Sequence, residues 1–133
     1  MIHRVLYIGK WIIDFLFSVD GYDRDEIMYY LYRLGADRET VDHIAEVIDS
    51  GSPNTGFTYT DGRSHRGLVS VGPTTSGSEF VDTLVHEVHH LAVAVAANLG
   101  VDLEGETPAY LAGDAARELA DVVCLLGCSD CNI

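Results

Sequence analysis

Residues 79–100 read EFVDTLVHEVHHLAVAVAANLG. The apolar spacing is helical: at 3.6 residues per turn Phe80, Leu84, Val88, Leu91 and Val95 share one face. His86 and His90 fall roughly opposite, in line with Val93 and Ala97. From residue 91 to residue 99 the one polar side chain is Asn98, and a helix so apolar on every side is expected to run through the middle of a domain. Ser78 or Glu79 is the expected start, and Gly100 the stop after about Asn98.

Downstream, Thr107-Pro108 opens a last helix, since proline is tolerated in a first turn, and that helix runs to about Leu126 before Gly127. Ala109, Gly113, Ala116 and Ala120 give it a small-residue stripe, and the modest size of Val93 and Ala97 leaves room for it to approach the histidine face closely. Upstream, residues 5–19 (VLYIGKWIIDFLFSV) read as one strand, bent near Gly9 and central in a sheet. Asp23, with Glu26 three residues on, predicts a capped helix through Leu34 that stops at Gly35. Asp37 is the expected cap of a second helix, with Glu39 in its first turn and Val41, Ile44, Ala45 and Ile48 as its apolar stripe. After a loop at Gly51, Ser52, Pro53 and Asn54, residues 57–60 and 67–71 read as strands joined through Asp61-Gly62, the second a candidate edge strand. Strand, two helices, hairpin and two helices predict an α+β fold: one domain over residues 1–133, with a small mixed sheet packed on a buried helix.

The same helix carries the chemistry. His86 and His90 stand one turn apart on one face, the spacing at which two imidazoles hold one zinc ion. Glu87 is rotated away from them and is free to take a proton from water activated by the metal. A third ligand is expected from the next helix. From His90 to the helix end is a drop of about 14 Å at about 1.5 Å per residue. Residues 101–106, if extended, climb back up to about 20 Å, so Glu106 can reach the metal if that loop returns alongside the helix. Asp114 is the competing ligand on an antiparallel last helix, and Glu104 a weaker one. His89, about 60° around from His86, reads as a polar residue behind the ligands.

HExxH followed within about twenty positions by an acid on the next helix resembles the gluzincin metallopeptidases. The likeness is to the smallest, propeptide-free forms and to phage-associated HExxH proteins with a Glu-x-x-Ala-Tyr signature, here Glu106-Thr107-Pro108-Ala109-Tyr110. It covers residues 79 to about 126, and the first fifty residues match nothing in it. The resemblance implies a zincin-like fold with Zn2+ on His86, His90 and Glu106 and with Glu87 as general base. It implies further that Tyr110 donates a hydrogen bond to a developing oxyanion, and that the 57–71 hairpin supplies the active-site edge, where a peptide or protein substrate adds along residues 67–71. Larger gluzincins build their substrate cleft from an extra helical domain for which this chain has no room.

Composition narrows the rest. Eight basic against 21 acidic side chains give a net charge of -13, which repels phosphate backbones and anionic lipid, so neither nucleic acid nor membrane is an expected partner. The apolar run at residues 11–19 is interrupted by Asp14 and is too short to span a bilayer. Cys124, Cys128 and Cys131 are too few and too clustered for a disulfide framework; they read as free thiols in a cytoplasmic protein. Arg63, His65 and Arg66 read as hairpin-tip residues able to meet a substrate carboxylate. The expectation is therefore a zinc-dependent peptide hydrolase. Its alternative is a non-catalytic, zinc-stabilised binding or structural protein of a phage or mobile element, and the oligomeric state is open.

Overall fold

The computed structural model describes residues 1–127 of the chain. Two hairpins form a four-stranded sheet: β1 (Ile2–Ile8) with β2 (Trp11–Phe17), and β3 (Gly56–Asp61) with β4 (Arg66–Val71). The order is β1-β2-β4-β3, antiparallel within each hairpin and parallel where β2 meets β4, so the sheet is mixed and the fold α+β.

The single bent strand expected at residues 5–19 is two strands. Ile8 pairs with Trp11, and Gly9 holds φ +58°, the positive φ that the first position of a two-residue hairpin turn demands of a glycine. β2 is interior, as expected of the apolar run. Residues 67–71 are not an edge. β4 is paired on both sides, to β2 and to β3, so the free edges belong to β1 and β3, and a peptide cannot add along β4.

Period-2 alternation in β2 sorts two cores. Ile13, Phe15 and Phe17 enter one cluster with Val69, Val71 and the α3 stripe, whereas Leu16 enters the other with Leu68, Ile27, Leu31 and Ile44. The helices α1 (Arg24–Arg33) and α2 (Arg38–Ser50) therefore cover one face of the sheet, and α3 (Gly77–Leu99) with α4 (Thr107–Glu118) the other. Asp37 caps α2 as expected, accepting from the Thr40 amide at 2.8 Å, and Gly35 and Gly51 end their helices at positive φ. The cap ahead of α1 lies one turn earlier than expected: Asp20 accepts from Tyr22 N, and Asp23 returns the bond to Asp20 N, closing a 3-10 turn (Gly21–Asp23).

α3 begins one residue early behind an N-cap Ser76 and ends at Gly100, φ +73°. It is not enclosed all round. Phe80, Leu84, Val88, Leu91 and Val95 are buried, while His86, His90, Ala97 and Asn98 are exposed, because sheet and α4 cover only part of its circumference. The last helix presents a different stripe from the small-residue one. Ala109, Gly113, Ala116 and Ala120 all face solvent; Leu111, Ala112, Ala115 and Leu119 turn inward, continued by Val122 of the short α5 (Ala120–Val122). Burying a leucine or valine contributes about 1.5–3 kcal/mol, far more than alanine or glycine can, so the larger side chains choose the face. A π turn (Val123–Gly127) follows. Cys124 is exposed, and the expectations for Cys128 and Cys131 lie outside the described residues. No helix among the described residues is long and apolar enough to cross a membrane.

Candidate metal centre

Helical spacing places His86 and His90 one above the other on the solvent side of α3, and their Nε2 atoms stand 3.2 Å apart with the rings nearly perpendicular, at 79°. As free imidazoles, one ring donates to the other. The same separation is what two ligands of one tetrahedral ion require, since Zn–N bonds of about 2.0–2.1 Å set an N···N edge of about 3.3 Å. The pair is thus spaced as two ligands of one ion would be. His89 is exposed and turns aside, its ring 6.2 Å from that of His90.

Glu87 points the other way around the helix, under β3. It is 5% exposed, and its Oε1 accepts from the Thr58 hydroxyl at 2.9 Å; the same hydroxyl lies 3.1 Å from the Glu87 carbonyl oxygen. Gly56 makes this approach possible, because a Cβ there would stand 2.5 Å from Ser70 O and 3.1 Å from Glu87 Cγ. No Lys, Arg or His ion-pairs with Glu87 among the described residues, so its charge is met by one neutral hydroxyl. Glu87 and His86 line a common open cleft of about 330 Å³, with Asp82 and Thr83 at its head and Val47 of α2 across from them.

The remaining expected groups are not brought to the pair. Glu106 is exposed at the head of α4 with no side-chain cap bond, and Asp114 is turned to Arg117 at 3.3 Å. Tyr110 is 68% exposed and lines no part of the cleft. Among the described residues no three His, Cys, Asp or Glu side chains form a group able to hold a metal. On α4 Leu111 and Ala115 turn inward, and Glu106, Tyr110 and Asp114 lie at the surface.

Thr58 and Gly56 gave no signal in the sequence, because their role comes from strand packing. Asp82 was readable: it lies one turn before His86 on the same face. At the hairpin tip, Asp61 closes the turn on Arg63 N and Ser64 Oγ, His65 sits edge-on to Trp11, and Arg66 turns to the opposite face of the sheet toward Asp14. Compared with protein-family models, curated proteins and solved structures, the chain matches none.

Proposed function

We propose that the chain is a zinc-dependent peptide hydrolase in which His86 and His90 hold the ion and Glu87 is the general base. The observation that carries the reading is the 3.2 Å separation of the two Nε2 atoms beside a buried carboxylate that has no cationic partner among the described residues. Zinc, when bound, supplies Lewis acidity and makes water available as a nucleophile near neutral pH. Glu87 takes the proton of the attacking water and returns it to the leaving amine, while the Thr58 hydroxyl, hydrogen-bonded to Oε1, fixes the orientation of the carboxylate. The free edge of β3, whose Thr58 and Gly56 touch Glu87, replaces β4 as the docking strand, where an extended peptide finds unpaired backbone groups.

In this reading His86 and His90 would hold the ion, one protein ligand fewer than the three of a usual catalytic zinc site. Exposure of both imidazoles favours an open site over the closed, fully ligated one that a purely structural zinc would need. The test is zinc content of the purified chain beside turnover of a peptide library. The expected result is zinc bound by the wild type and by Glu106→Gln, and lost with His86→Ala/His90→Ala. Loss of zinc in Glu106→Gln would restore the three-ligand centre; absence of zinc in the wild type after metal is supplied would end the enzyme reading.

A further inference from the structure

The sheet face away from α3 carries a second cleft, of about 530 Å³, over the part of β2 and β4 that α1 leaves uncovered. Its floor is Asp14, a charged residue in the middle of a strand and only 8% exposed. Asp14 Oδ1 is bonded to His3 Nε2 at 2.7 Å, and Oδ2 lies 4.0 Å from Arg66 Nη2. Stability alone does not ask for an acid here, because an apolar side chain beside Leu16 and Leu68 would serve a buried position at least as well.

The walls are chemically divided. Tyr29, Tyr30 and Leu34 give an apolar and aromatic side, and Arg33 lies over the Tyr29 ring, 5.8 Å from its centroid, donating to the Tyr29 hydroxyl at 3.1 Å. Glu26 and Arg33 also line the cleft, and neither is in an ion pair among the described residues. Tyr30 feels both acids: burial first, then Asp14 and Glu26, push its hydroxyl above the ordinary tyrosine value. The cleft therefore offers two carboxylates and two guanidinium groups whose closest approach is the 4.0 Å between Arg66 and Asp14. A singly charged ligand would satisfy one set and leave the other facing a like charge. A zwitterion satisfies both, and the volume is that of an ordinary small-molecule site.

We infer that this cleft binds a small zwitterion, an α-amino acid or dipeptide, with its ammonium on Asp14 and Glu26, its carboxylate on Arg33 and Arg66, and an apolar side chain against Tyr29 and Leu34. The site is independent of zinc and lies on the opposite face of the sheet from His86.

Calorimetric titration of the full chain with phenylalanine, leucine and phenylalanylleucine tests it, beside N-acetylphenylalanine, which lacks the ammonium, and phenylalaninamide, which lacks the carboxylate. At least one zwitterion should bind, and each blocked form should bind about 10- to 100-fold more weakly, the usual worth of a charged hydrogen bond. Arg33→Gln, an exposed change that the fold tolerates, should erase the difference between phenylalanine and its amide; Asp14→Asn should erase that between phenylalanine and its N-acetyl form. His86→Ala/His90→Ala should bind as the wild type does. No heat with any of the three zwitterions, equal binding of the blocked forms, or loss of binding in the double histidine variant would each overturn the assignment.

Discussion

Asp14 and Glu87 are both carboxylates buried against the same sheet, 8% and 5% exposed, on opposite faces, and the chain compensates them differently. Asp14 has an imidazole at 2.7 Å and a guanidinium at 4.0 Å. Glu87 has, among the described residues, one hydroxyl. Burying an acid costs several kcal/mol unless it is paired, so an acid met only by a neutral donor is kept for what it does rather than for stability. The difference separates a carboxylate bonded to side chains of the fold, with its cleft side left for a ligand's ammonium on the further inference, from one whose answering cation, on the proposed function, is a metal held by the residue just before it, His86, and by His90 one turn on.

The largest effect should come from Glu87→Gln. The amide keeps the Thr58 bond, so stability should change by less than about 1 kcal/mol, while peptide turnover falls about 10²- to 10⁴-fold with zinc retained. Equal turnover in the variant would remove the functional half of the comparison. Gly56→Ala comes next: its Cβ would meet Ser70 O at 2.5 Å, and moving β3 off Glu87 should cost about 1–3 kcal/mol in urea unfolding, with turnover falling alongside. Asp14→Ala leaves His3 and Arg66 without their acceptor and should cost about 1–2 kcal/mol while sparing turnover, the reverse of the Glu87 pattern. The smallest effect concerns exposed acids. Asp37 is held below the ordinary carboxylate value by its backbone bond from Thr40, as Asp61 is by Ser64 and Asp121 by Arg4. A depressed folded pKa means stability that is present above the ordinary value and lost as pH falls through the lowered one, so the melting temperature should decline below about pH 4. Asp37→Asn, which still caps α2 without titrating, should make that decline shallower.

Much of this molecule is local and was legible. The HExxH helix, its glycine stop, the Asp37 cap and the Gly35 and Gly51 ends follow from spacing and backbone freedom within a few residues. Asp14 was visible as a charge inside an apolar run, but nothing nearby announced His3 or Arg66 as its partners, eleven residues back and on a different hairpin. The cap ahead of α1 was misplaced by one turn, a local error; the larger ones are of one kind. Reading Gly9 as a bend, residues 67–71 as an edge and the Ala/Gly stripe as the buried face of α4 each required knowing which element lies beside which.

By itself the sequence determined where α2 and α3 lie, the α+β class and the pairing of His86 with His90, because each depends on contacts one turn or one strand residue away; the last helix, expected to run on to about Leu126, stops instead at Glu118. Only the tertiary structure decided that β4 is interior, that Glu87 is seated beneath β3 on Thr58, and that α4 turns Leu111 and Ala115 inward and leaves Glu106 outside. Those choices are settled by the total apolar area buried when distant segments meet, a quantity that no local spacing contains.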